Sequence, residues 1–239
     1  MSTLLLRFAA PMQAWGSSSR FQWRETNNEP TKSAVIGMLA AALGRRRTDS
    51  IADLADIRFG VRLDQPGRRI KDFHTAKSND GKQAFTSHRR YLSDAVFLVG
   101  IQDDPEKLQE YENALIHPYF PLFLGRRSCP PVQPFILGIR HDLDLLSALQ
   151  SEPWQASRFY QRKMQTLNQI ELEIVLDAQF QDVGAYTQYD LPLTFDQTNR
   201  RYTSRSVISQ LKGALVQNQS YVGELTSTEH DALGALGVE

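Results

Sequence analysis

The side chains in this sequence that could carry chemistry are five histidines, one cysteine, and a run of lysines, arginines and aromatic rings between residues 65 and 93. His74, His88, His117, His141 and His230 show no metal-ligand spacing, and no His-Glu-x-x-His stretch occurs. Cys129 is the single cysteine, so neither an internal disulfide nor a cysteine-rich zinc site can be built. No phosphate-binding loop is present, and no Gly-x-Gly-x-x-Gly follows a strand pattern. The expectation is therefore no metal, no cofactor and no catalytic set. Metal-free cleavage of a phosphodiester beside a 2′-hydroxyl needs a base and an acid. His74, His88, Lys77 and Tyr91 are the residue types that could supply them, and their spacing does not show that they converge.

Binding chemistry is better represented than catalytic chemistry. Residues 65–93 hold Arg68, Arg69, Lys71, Lys77, Lys82, Arg89 and Arg90 against Asp72 and Asp80, with Phe73, His74, Phe85, His88 and Tyr91 interleaved. Cations neutralise phosphates, and rings and guanidinium planes stack on unpaired bases, so this composition suits single-stranded RNA. The proline-bounded stretch Pro121–Pro131 adds the pair Arg126-Arg127 after Gly125. Trp15-Gly16 could let backbone approach a ligand, whereas Arg45-Arg46-Arg47 reads as a complement to a helix C-terminus. Net charge is zero, yet residues 1–94 carry 16 Lys and Arg against 9 Asp and Glu, and residues 95–239 carry 11 against 18. A phosphate-binding surface needs local positive charge and no basic total.

These side chains need a frame. Ser2–Ala10 alternates as a strand. Ala34–Leu43 repeats apolar residues at helical spacing after Pro30-Thr31-Lys32-Ser33 and stops at Gly44. Arg58–Leu63 alternates with Phe59, Val61 and Leu63 inward and Arg58 and Arg62 outward. Ala95–Ile101 is a buried strand, Asp104-Pro105-Glu106 starts a helix that ends before Pro118, and Val132–Ile139 is a further strand. The order β-α-β-β-α-β predicts an α+β, ferredoxin-like or RRM-like domain over 1–149. Residues 65–93 are its long β-hairpin insertion, too long for a turn. Residues 150–239 are read as a small β-rich C-terminal region, with strands at Gln169–Asp177 and Val207–Leu215. No stretch is long and apolar enough to span a bilayer, and no basic leader precedes Leu4–Leu6, so a cytoplasmic protein is expected.

Four motifs in order carry a resemblance: Leu4-Leu-Leu-Arg-Phe-Ala-Ala-Pro-Met-Gln-Ala-Trp-Gly16, Pro30-Thr-Lys-Ser-Ala-Val-Ile-Gly-Met-Leu-Ala-Ala-Ala-Leu-Gly44, Pro121-Leu-Phe-Leu-Gly-Arg-Arg-Ser-Cys-Pro130, and Arg201-Tyr-x-x-Arg205-x-Val207. Together they resemble the CasD family of CRISPR-associated proteins, in its type I-E Cascade version, within the RAMP superfamily. The resemblance implies a ferredoxin-like domain with a hairpin thumb that holds the 5′ handle of the crRNA and caps a filament of backbone subunits. It implies CasC-type backbone and CasA-type large subunits as neighbours, and target DNA met through the complex. The residues placed on RNA are Arg89, Arg90, Arg126, Arg127, Lys32, Arg205, Lys77, His74 and Trp15. Type I-C relatives cut precursor RNA with a Tyr-Lys-His set whose Lys and His are adjacent, and this sequence has no Lys-His dipeptide. An endoribonuclease is the alternative reading, and a structural adaptor meeting an acidic partner is a third.

Overall fold

Residues Ser2–Ala9 form the strand β1, and both of its faces are buried. Leu4, Leu6 and Phe8 enter one core while Leu5 enters another, because successive strand residues point to opposite sides. The computed structural model describes residues 1–16, 22–179 and 181–223. After β1 come the short strands β2 (Met12–Gln13) and β3 (Trp23–Arg24), helices α1 (Lys32–Ala42) and α2 (Ala52–Ala55), and strand β4 (Arg58–Gln65). The hairpin strands β5 (Arg68–Lys77) and β6 (Ala84–Ser93) follow, then β7 (Val96–Asp103), α3 (Pro105–Ile116) and β8 (Ile136–Arg140). The chain continues with α4 (Leu145–Ser151), α5 (Arg158–Lys163), β9 (Gln169–Asp177), β10 (Tyr186–Thr194) and β11 (Arg201–Gln217).

One sheet runs in the order β10-β11-β9-β4-β7-β1-β8. Its last four strands, all antiparallel, have the ferredoxin-like order expected from the sequence. The strands after residue 150 add to the β4 edge through Gly60–Arg62 paired with Ile174–Leu176. Strand β9 has the bounds read from its alternation. Strand β10 and helices α4 and α5 carry no periodic signal long enough to have been read. Strand β8 begins at Ile136, four residues later than expected.

Helices α1 and α3 cover one face of the sheet, with Val35, Ile36, Met38, Leu39, Leu108, Tyr111 and Leu115 in the core. Thr31 caps α1 by accepting from the Ala34 N–H. Pro105 opens α3 at the position where its missing N–H costs nothing. Helix α4 covers the other face, with Leu145 and Leu149 over Gly60 and Gly100, which are directly paired. A Cβ on Gly60 would lie 2.9 Å from Leu149 Cδ1, and one on Gly100 would lie 2.6 Å from Leu145 Cδ1, so the two glycines let the helix sit close.

Arg62 corrects the expectation that it faces solvent. It is fully buried on the α4 side, paired with Asp64 at 2.8 Å through both Nε and Nη2. Its remaining N–H groups donate to the carbonyls of Leu149, Glu152 and Pro153. The sheet is covered on both faces, so a charged residue facing away from one core enters the other. It is tolerated because every donor finds an acceptor.

Candidate nucleic-acid interface

The inserted hairpin pairs Arg68 with Ser93 through to Lys77 with Ala84 without a register shift. Alternation sorts its side chains. Arg69, Lys71, Phe73, Lys77, His88 and Arg90 share one face, and Arg68, Asp72, His74, Phe85, Arg89 and Tyr91 share the other. Arg89 and Arg90, adjacent in sequence, are thus on opposite faces. Strand β3 runs along the free edge of β6, placing Trp23 beside His88 and Arg24 beside Arg89. The Trp23 and His88 rings stack at 4.4 Å, Phe73 tilts against His88 at 5.3 Å, and Lys71 Nζ lies 5.6 Å from the Trp23 ring centre. Trp23 and Phe73 remain more than half exposed. This face offers stacked rings flanked by cations.

The other hairpin residues are partly engaged. Arg90 Nε pairs with Glu25 at 2.9 Å, Arg69 donates to Asn28, and Arg89 Nε donates to Ser87 Oγ at 3.2 Å. His74 Nε2 lies in close contact with an Asp72 carboxylate oxygen. Lys77 is exposed near the tip.

The Pro121–Pro131 loop is welded to the segment before the hairpin. The Ala14 N–H donates to the Leu124 carbonyl, and the Leu124 N–H to that of Cys129. Gly125 has φ +83°, and a Cβ there would fall 1.6 Å from the Ala14 carbonyl oxygen, so only glycine fits. This fixes the two arginines that follow. The Arg126 guanidinium stacks 4.2 Å from the Tyr91 ring and donates from Nη2 to the Arg24 carbonyl, while Nη1 is buried without a partner among the described residues. Arg126 therefore ties the loop, the hairpin base and β3 together. Arg127 is exposed and lines a groove of about 850 Å³ between α1, residues 120–127 and β10–β11.

That groove has Arg46, Arg47, Arg127 and Arg200 in its walls, with Phe120, Phe195 and Tyr202 as rings. None of these four arginines makes an ion pair among the described residues. Arg45 is held by Asp53, with both N–O distances 2.5 Å. Helix α1 ends at Ala42 with no basic residue in its last turn, so the three arginines lie beyond the helix end they were read as complementing. The run was visible in the sequence. Its place on a groove was not, because Arg200, Phe195 and Tyr202 come from the far end of the chain. Trp23 was missed for the same reason: it joins the hairpin from a separate segment.

Three residues expected on RNA lie inside the protein. Trp15 is fully buried and stacked on Phe8 at 5.6 Å; its Nε1 has no partner among the described residues, and it serves packing. Lys32 Nζ pairs with Asp177 at 2.9 Å. Arg205 binds Asp177 at 2.5 Å and Asp190 at 2.7 Å, with its guanidinium 5.3 Å from the Phe59 ring. Asp190 also accepts from the Lys32 backbone N–H. The network joins the start of α1 to β9, β10 and β11, and its cations are paired with the buried Asp190 and the partly buried Asp177 rather than free for phosphate. Burial, with Glu173 and Asp190 nearby, raises the Glu29 carboxyl above the usual range at the rim of this network.

No group of His, Cys, Asp and Glu among the described residues could hold a metal. His74 and His88 point from opposite hairpin faces. Lys77 pairs across from Ala84, four residues from His88, or about 13 Å along the strand. The hairpin does not gather an acid, a base and a third group at one point.

Residues 3–208 match the model of a family described as CRISPR-associated protein (Cas_Cas5). The chain is 36% identical over 169 residues to "CRISPR system Cascade subunit CasD" of Escherichia coli (strain K12), covering 62% of this chain and 75% of that relative. A solved chain described as "CRISPR RNA-guided surveillance complex" superposes with TM-score 0.75 and 29% identity, over 92% of this chain and 93% of that one. Another, "Crystal structure of Cas protein", gives TM-score 0.66 and 33% identity over 92% and 98%.

Proposed function

The chain belongs to the Cas5 family of CRISPR-associated proteins, and from that premise we propose that it is a non-catalytic RNA-holding subunit of a Cascade-type complex, gripping the 5′ handle of the guide RNA. The observation that carries this reading is the hairpin face on which Trp23, His88 and Phe73 form a ring cluster beside Lys71 and Arg90, with Lys77 farther out on the same face. Exposed rings give bases a stacking platform and the cations give phosphates a counter-charge, which is how single strands are held without reading duplex edges.

The contacts assigned to RNA are Arg127 with Arg46, Arg47 and Arg200 on the groove, and Lys71, Lys77, Arg90, Arg89 and His74 on the hairpin. Arg126 is a positioning residue. Residues 1–149 would carry most of the RNA face, with the segment from 150 on closing the groove through Arg200 and Tyr202. CasC-type backbone and CasA-type large subunits are the proposed protein neighbours, and target DNA is met through the paired guide. No cleavage is assigned to the hairpin, whose two histidines, His74 and His88, lie on opposite faces.

The test is a salt titration of affinity for a guide RNA bearing its 5′ handle. Arg127→Ala and Lys71→Ala are each expected to weaken binding and to flatten the slope of log K against log salt by about 0.7 per lost contact. Lys107→Ala, on α3 beside Asp103, should change neither. Unchanged affinity and slope in both folded variants would sink the reading.

A further inference from the structure

Helix α5 is capped by Ser157, whose Oγ accepts from the Tyr160 N–H, and its two sides differ sharply. Tyr160, Gln161 and Met164 face the core, with Tyr160 edge-on to Trp154 at 6.0 Å and Gln161 bonded to the Trp154 and Ala156 carbonyls. Arg158, Phe159, Arg162 and Lys163 face out. Phe159 is 82% exposed, and none of the three cations makes an ion pair among the described residues. The turn at 218–222 is fastened against this helix: Asn218 Nδ2 donates to the Gln161 and Met164 carbonyls, and the Val222 N–H to that of Gln165. It brings Tyr221 and Val222, 43% and 61% exposed, beside Leu167 at 48%. Neither 153–168 nor 210–223 contains an aspartate or a glutamate. In a chain with as many acidic as basic residues, these two segments carry no carboxylate of their own, although Glu152 reaches Gln155 and Glu171 reaches Lys212, and they expose four apolar side chains.

We propose that this surface docks a protein subunit presenting an apolar pocket rimmed by carboxylates, with Phe159 as the inserted anchor and Arg158, Arg162 and Lys163 pairing with the rim. Aromatic and arginine side chains are enriched in protein interfaces, and binding energy concentrates on anchors whose surrounding contacts exclude water. Leu167 and Val222 favour a protein over a nucleic acid, since aliphatic side chains do nothing for phosphate. Position favours it too. Helix α5 lies over the sheet face covered by α4, whereas the arginine groove flanks α1 on the other face. The proposal rests on the function proposed above only in treating the chain as part of an assembly.

A photo-crosslinking amino acid at 159, placed in the chain within its assembled complex, tests the contact. A crosslink to one protein subunit, mapped to an acidic-rimmed pocket, is expected. The Phe159→Ser variant and the Arg162→Glu, Lys163→Glu double variant should weaken that subunit's binding roughly tenfold or more. Charge reversal on the partner's rim should restore the double variant, and the salt slope for guide RNA should stay as in the parent chain. A crosslink to nucleic acid, or weakened RNA binding by these variants, would overturn the proposal while leaving the RNA-holding role intact. Assembly with unchanged stoichiometry and affinity and no crosslink would overturn it as well.

Discussion

Arg127 and Arg205 are indistinguishable as sequence features, each an arginine in a short motif, and the structure gives them opposite tasks. Arg127 is held out over a groove by the backbone that Gly125 fixes. Arg205 is folded against Phe59 and neutralised by Asp177 and Asp190. The sequence could not separate them, because Asp177 lies 28 residues before Arg205 and 145 after Lys32. Trp15 misled for a related reason: a neighbouring glycine implied a ligand, while its stacking partner Phe8 was hidden in the strand before it. Arg205→Ala leaves two carboxylates, one fully buried, with Lys32 as their remaining cation. Removing one partner of a buried pair costs about 3–5 kcal/mol. The melting temperature should therefore fall on the order of 10 °C in a scan of the purified chain. A drop of a degree or less would show that the network contributes little to stability.

At the scale of the element, the hairpin was the most legible feature, since a 65–93 insertion between two strands that pair with each other has few other solutions. The split of its cations over two faces follows from alternation alone. What it rests on was not legible: β3 reaches it from the segment after Trp15, and Arg126 reaches Tyr91 from the loop before β8. The hairpin base is built into the molecule, whereas no residue from Asp72 to Ser87 is buried. Replacing 72–87 by a short Gly-Ser turn keeps the Lys71–Arg90 pair, the Arg90–Glu25 contact and the β4–β7 register. Loop length itself costs little. The trimmed chain should melt within a few degrees of the parent, yet fail to retain guide RNA during purification of the complex. Normal RNA content in the trimmed complex would show that the outer hairpin is dispensable.

Across the whole molecule, the β-α-β-β-α-β order gave four strands in their observed sequence, because each alternating or continuous apolar run had a helix or turn signal on both sides. The other three strands were only partly visible. β9 alternates cleanly, but β10 interrupts its pattern with Pro192 and two register shifts against β11. The second core also went unread, for it is assembled from Leu5 and Leu98 of strands whose pattern already satisfied the first core, together with Leu145, Leu149, Trp154, Ile174 and Val216. This core straddles residue 150, so a fragment ending at 149 tests whether the first part of the chain stands alone. The cut removes Trp154, Leu172, Ile174 and Val216, leaving Leu5, Leu98 and α4 without cover. It also strips the buried Arg62–Asp64 pair of the Glu152 and Pro153 carbonyls and the Gln155 N–H. Each fully buried Leu, Ile or Val side chain that loses its cover forfeits about 1.5–3 kcal/mol, and total stabilities are roughly 5–15 kcal/mol. The fragment 1–149 should therefore lack a cooperative thermal transition and bind a hydrophobic dye, while the full chain melts in one step. A sharp transition and native-like near-ultraviolet dichroism for 1–149 would show that the ferredoxin-like half folds without the strands that complete its sheet.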